Sequence, residues 1–283
     1  MKKFLMILAA AAFCALPAAV QAQKGIVYRN DGKTVEFDSI QELSPERYGC
    51  KVGKNTLPIA KKDVQRVLVE KPQVIADADK MLADGKFAEA AEKYAAALEA
   101  KNNVDKGAIA FKDLGWNIYC LYKRAESLQK AEKLDEALKL FTELSGMKDS
   151  ILNPDDGKFV FSSLLQVGET FLAKKDYVNT EKIAKELARN PDPKAGFCGY
   201  LLRGKNLKAQ AAEKSGVEQE TLIKKAALSF FGASLLFEKD EQRPEALYLA
   251  WEMLTALKDV RAEAFAKILK EKYPDNTYTK KLK

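Results

Sequence analysis

The stretch Asp84-Gly85-Lys86-Phe87-Ala88-Glu89-Ala90-Ala91-Glu92-Lys93-Tyr94-Ala95-Ala96-Ala97-Leu98 decides how most of this chain is read. Ala90, Tyr94 and Ala97 recur at intervals of four and three, which places them on one face of a helix. Gly85, just ahead of Phe87, marks the turn that precedes it. Small residues on such a face let two helix backbones approach to about 8 Å, and the aromatic ring fills the groove between neighbouring helices. A helical period begins near residue 73 and continues through the rest of the chain, so the expected fold class is mainly α.

The series Gly85, Phe87, Ala90, Tyr94 and Ala97 resembles the second half of a tetratricopeptide repeat. In that family a small residue on the first helix stands twelve positions before the alanine of the second. Counting back from Ala90, Ala137, Thr180 and Ala262 reaches Ala78, Ala125, Gly168 and Ala250, all small. Val167, Gly168 and Phe171 match the family's large-small-aromatic spacing, with Tyr177 at the following turn. Lys133-Leu134-Asp135-Glu136-Ala137 with Phe141 matches in the second unit. A unit anchored on Gly204 and Ala226 departs from the pattern, and its excess length predicts an extended inter-helix loop over residues 213–219. Residues 149–158, rich in Pro, Gly and Asp, read as a connector. Tyr273-Pro274-Asp275-Asn276 stops the last helix, and with Thr277 and Tyr278 it is similar to repeat ends of envelope-assembly lipoproteins. The resemblance covers about 200 residues. It implies a right-handed superhelix of about five divergent helical hairpins over residues 73–283.

Residues 23–70 follow a different period. Ile26-Val27-Tyr28, Asn30-Asp31-Gly32 and Thr34-Val35-Glu36-Phe37 form a strand, a turn and a strand, because Asp-Gly supplies the positive φ of a tight hairpin. A second hairpin is expected from Tyr48 through Ile59 around Gly53-Lys54-Asn55, and Asp63-Val64-Gln65-Arg66-Val67-Leu68-Val69 supplies a fifth strand. The order is similar to small SH3-like or Sm-like barrels, which implies a β-barrel-like module. The simpler alternative is a packing cap on the first helix pair.

Residues 1–22 read as a signal peptide. Lys2 and Lys3 precede an apolar run at 4–16, Pro17 ends it, and Val20-Gln21-Ala22 offers small residues for cleavage. The expected product begins at Gln23 and is periplasmic or secreted, from a Gram-negative-type bacterium, with no transmembrane segment after cleavage. Phe13 before Cys14 argues against lipidation. Cys50, Cys120 and Cys198 remain, an odd number that cannot all pair within one chain. Cys120 and Cys198 read as small buried helix residues.

The chain has 283 residues, 47 basic and 40 acidic side chains and no histidine. Lacking histidine, it has no Ser-His or Cys-His nucleophile and lacks the commonest zinc ligand. The positive excess is dispersed, which favours solubility over nucleic-acid binding. A non-catalytic scaffold or adaptor that binds another envelope protein or peptide is therefore expected, with no cofactor and no metal. The alternative is an exported hydrolase acting on glycans through a carboxylate pair. Self-association through the β module is a further possibility. In the repeat family the first helix of each pair lines the inner wall. Carried onto this sequence, those positions are Tyr119, Tyr122, Glu126, Gln129, Leu165, Glu169, Leu172, Leu201, Lys205, Lys208, Leu247 and Trp251. Such a groove suits an extended peptide or a partner helix. The competing reading makes several of these aromatics ordinary core, and Trp116 a packing residue.

Overall fold

The computed structural model describes residues 23–147 and 154–282. The expected signal peptide and the connector residues 149–153 lie outside the described residues. Six strands come first: β1 (Gly25–Arg29), β2 (Thr34–Phe37), β3 (Ser39–Ser44), β4 (Arg47–Val52), β5 (Asn55–Ala60) and β6 (Val64–Val69). They form two three-stranded sheets, ordered β2-β1-β6 and β3-β4-β5, all pairs antiparallel. The expected barrel is thus two separate sheets and is not closed. The chain passes from one sheet to the other at Asp38. The Asp38 N–H donates to Lys51 O at 2.8 Å, and its carboxylate accepts from the Gly53 N–H at 2.8 Å. β3 is a strand that the sequence reading missed. Only Ile40 of its six residues is buried, so the segment shows no apolar alternation.

Ten α-helices follow among the described residues: α1 (Gln73–Ala83), α2 (Phe87–Glu99), α3 (Asn117–Lys130), α4 (Leu134–Ser145), α5 (Pro154–Ala173), α6 (Tyr177–Arg189), α7 (Pro193–Ala211), α8 (Gly216–Leu236), α9 (Arg243–Ala256) and α10 (Ala262–Lys272). Each packs against the helix before it and the helix after it. The residues paired at a spacing of twelve are buried on both helices of their hairpins: Ala78 with Ala90, Ala125 with Ala137, Ala250 with Ala262. Thr180, in place of an alanine, is also buried, because its hydroxyl donates to Asp176 O at 2.8 Å within its own helix. Gly85 has φ 79°, a left-handed turn that its missing Cβ makes inexpensive.

Two sequence expectations are corrected here. Residues 213–219 are not an extended loop. The excess length is taken up by helix, with α7 running to Ala211 and α8 starting at Gly216. The Lys224–Glu220 pair at i,i+4 within α8 supports the added turns. The connector also ends early, since α5 begins at Pro154, and proline has the φ that a first helical position needs.

Three apolar clusters hold the chain. One joins α1–α4 to the start of α5 through Val160, and a second joins α5–α10, including the neighbouring Phe161 and Leu165. α5 therefore contributes to both. The third lies inside the β module and includes Val27, Phe37, Ile40 and Val67. Ile109, Phe111 and Leu114, from the stretch between α2 and α3, complete it. Buried Asn102 fixes that stretch: its amide donates to Ile40 O, and its Oδ1 accepts from the Ile109 N–H at 2.7 Å. Trp116 donates from its indole to Val69 O at 3.2 Å, in the packing role expected for it. Cys50, Cys120 and Cys198 are free and buried. Burial pushes the Cys50 thiol up to about 11 and the Cys120 thiol up to about 12, so both stay protonated.

Candidate functional site

The odd-numbered helices are tied to one another by side chains, and these ties form a ladder along one face. At its first rung the α1 residue Asp79 accepts from Tyr94 at 2.6 Å, from Tyr119 on α3 at 2.7 Å and from Lys71 at 2.7 Å. Burial opposes the charge on Asp79, but the three donors outweigh it and hold its carboxyl below the usual range. Asp79→Asn is expected to destabilise the chain by about 1 kcal/mol, since the charge-assisted bonds become neutral ones. The depressed pKa gives stability that is present above the unfolded carboxylate value and lost as pH falls through the folded one. Denaturant midpoints measured from pH 6 to 3 should therefore converge for the two proteins at the acid end.

The next rungs continue in order. Glu126 pairs within α3 itself, with Lys123 at 2.8 Å and Lys130 at 2.9 Å, and so flanks the ladder without joining two helices. Burial works against this charge too, and the two lysines prevail, lowering the pKa. Gln129 on α3 donates to Gln166 on α5 at 2.9 Å. Lys205 on α7 bridges Glu169 on α5 and Glu245 on α9, the latter at 2.7 Å. Lys208 on α7 reaches Glu252 on α9 at 2.6 Å. Burial lowers the Lys205 pKa, but the two carboxylates raise it further, for a net upward shift.

The sequence-derived site residues fall into three groups. Gln129, Glu169, Lys205 and Lys208 stand on the ladder, with Glu126 beside it on α3. Trp251 is half-buried beside Tyr248, with ring centroids 5.4 Å apart, and Leu172 is half-buried on α5. Tyr119 and Tyr122 are half-buried in an aromatic cluster, their ring centroids 5.4 and 5.0 Å from that of Phe159, and burial raises both phenol pKa values. Leu165, Leu201 and Leu247 are corrected: each is at most 1% exposed in the second cluster, so they join helices and offer no surface. Asp79, Gln166, Glu245, Tyr248 and Glu252 belong to the face and were missed. The last three follow one another at spacings of three and four, a pattern that places them on one stripe of α9.

A cavity of about 340 Å³ lies between β6 and the entry to α3. Tyr48, Lys61, Arg66, Lys112, Asp113 and Asp156 line it, so its charges of both signs are mixed. Among the described residues no cluster of three or more Cys, Asp or Glu side chains is placed to hold a metal ion. No helix among them is long and apolar enough to cross a membrane. No protein-family model matches the chain, and no curated protein matches it.

Proposed function

We propose that this chain is an exported, non-catalytic scaffold or adaptor of the bacterial envelope, whose odd-helix face binds an extended peptide or helix of another envelope protein. In this reading the hairpins are tetratricopeptide-like repeats that coil into a right-handed superhelix, and the ladder lies on its inner wall. The β module is SH3-like in strand order and caps the first pair. The protein works in the periplasm or outside the cell. One observation supports the binding face above the rest. Successive odd helices are joined by polar side chains that remain part-exposed, with Tyr248 and Trp251 at one end. Fixed charges of both signs beside half-buried aromatics are the composition of a recognition surface, where aromatic anchors supply most of the affinity.

Affinity capture from an envelope fraction tests this reading. Lys208→Glu and Trp251→Ala are expected to lower recovery of a bound envelope protein at least tenfold, while Lys185→Glu on α6 leaves it unchanged. Equal recovery by all three variants would remove the face from the account. Tyr122 is a poorer probe, because its ring also packs on Phe141 with centroids 5.9 Å apart.

A second reading is carboxylate-dependent glycan hydrolysis, and the cavity that Asp113 and Asp156 share is the observation on its side. Release of reducing sugar from cell-wall glycan, abolished by Asp113→Asn, would favour it over the first.

A further inference from the structure

The α9 end of the ladder is already covered, and the segment covering it comes from the chain's own C-terminus. α10 stops at Lys272, and the residues after it turn back over α9. The Tyr278 ring lies against Tyr248 with centroids 5.6 Å apart, and the Lys281 ammonium stands 4.9 Å from the Tyr278 ring centroid and 6.0 Å from that of Tyr248. Burial raises the Tyr278 phenol pKa, and so does the nearby Glu245 carboxylate, the same group that bridges Lys205. The tail thus ends in the ladder itself.

Its own support is slight. Among the described residues beyond Tyr273, the only regular structure is a single 3-10 turn at Thr279–Lys281. Thr279 donates to Tyr273 O at 2.6 Å, Leu282 rests on the second apolar cluster, and Thr277, Lys280 and Lys281 are exposed. Segments without helix or strand of their own, held by a few side chains, open at low cost compared with the helices beneath them.

We infer that residues 276–282 occupy the α9 end of the binding face as an internal stand-in, and that the partner segment fitting there has the same chemistry, an aromatic residue followed three positions later by a basic one. This rests on the reading of the odd-helix face as a binding surface. The aromatic side chain packs at a tilt against Tyr248 and brings a phenol oxygen toward the Glu245 carboxylate. The basic side chain lies over both rings, where the ring quadrupole attracts a cation. A partner that brings these groups must displace the tail, so the free chain binds it more weakly than a chain whose tail is released.

The probe is a labelled synthetic peptide with the sequence of residues 276–283, Asn-Thr-Tyr-Thr-Lys-Lys-Leu-Lys, titrated against the full chain by fluorescence anisotropy. The Tyr278→Ala chain should bind it at least tenfold more tightly than the unaltered chain. Lys281→Ala, which removes only an exposed contact, should give a smaller gain in the same direction. Replacing the peptide's tyrosine by alanine, or adding Glu245→Gln to the Tyr278→Ala chain, should return binding to background. Equal affinity for the unaltered and Tyr278→Ala chains, or no saturable binding by either, overturns the inference. The peptide titration needs no natural partner. A positive titration beside unchanged partner capture by Lys208→Glu would defeat the proposed function alone, and the reverse pattern would defeat this inference alone.

Discussion

Gly199→Val is expected to lower stability by more than about 3 kcal/mol, the largest loss from any single change considered. Gly199 is on α7 where it crosses α6, and a Cβ there would lie 2.8 Å from Ala184 O and 2.8 Å from Ala188 Cα. Both are backbone atoms of α6. No rotamer change relieves such a contact, so the two helices must separate and the packing of Ala184, Leu187 and Cys198 beneath them loosens. Valine recovers less than about 1 kcal/mol of helix propensity over glycine, well short of the overpacking cost. Gly146→Ala is the control, because nothing lies within 4 Å of its added Cβ, and its midpoint should move by less than about 0.5 kcal/mol. Chemical denaturation of both variants reads the difference. Equal midpoints would mean that α6 and α7 are not in backbone contact at Gly199.

The second large effect is expected from Lys205→Met, about 2–3 kcal/mol. The lysine side chain is 20% exposed and its partners Glu169 and Glu245 are 27% and 17% exposed, so solvent screens this triad only in part. Methionine keeps the volume and leaves two carboxylates facing each other with no cation between them. The loss is therefore mostly uncompensated like charge, and adding Glu169→Gln to Lys205→Met should recover about half of it. The sign of the pH dependence follows from the raised pKa of Lys205. Its contribution is complete below the unfolded lysine value and lost only as pH rises through the higher folded one. The difference between wild type and Lys205→Met should stay flat from pH 6 to 9. A difference that shrinks across that window would contradict the assignment.

Legibility of the sequence varied with the kind of contact. Hairpins whose packing depends on one small residue per helix were readable, because Ala78, Ala125, Ala250 and their partners must be small wherever two helices touch. Strands β1, β2 and β6 were readable from alternation and turn chemistry, whereas β3 buries only Ile40 and leaves no pattern. The repeat's spacing makes the length between Gly204 and Ala226 read as loop, although Glu218, Glu220 and Lys224 carry the spacing of a solvated helix. Within the candidate site the ladder residues Glu169, Lys205 and Lys208 are legible from their helix position, as is Glu126 beside them. Leu165, Leu201 and Leu247 share that face at neighbouring positions, and a turn of the helix of one-quarter is enough to move them from surface to core. Asp79 and Tyr278 were out of reach, since their roles depend on residues 15 to 40 positions away or on a tail that folds back.

The central claim is that the face of the odd-numbered helices meets a partner protein. Its most direct test is a photo-crosslinking side chain placed at Gln129, exposed on α3, and separately at Val178, exposed on α6, with the chain expressed in its own cells. The account predicts adducts with one envelope protein from position 129 and none from position 178. Adducts from 178 alone, or from neither position, would contradict it.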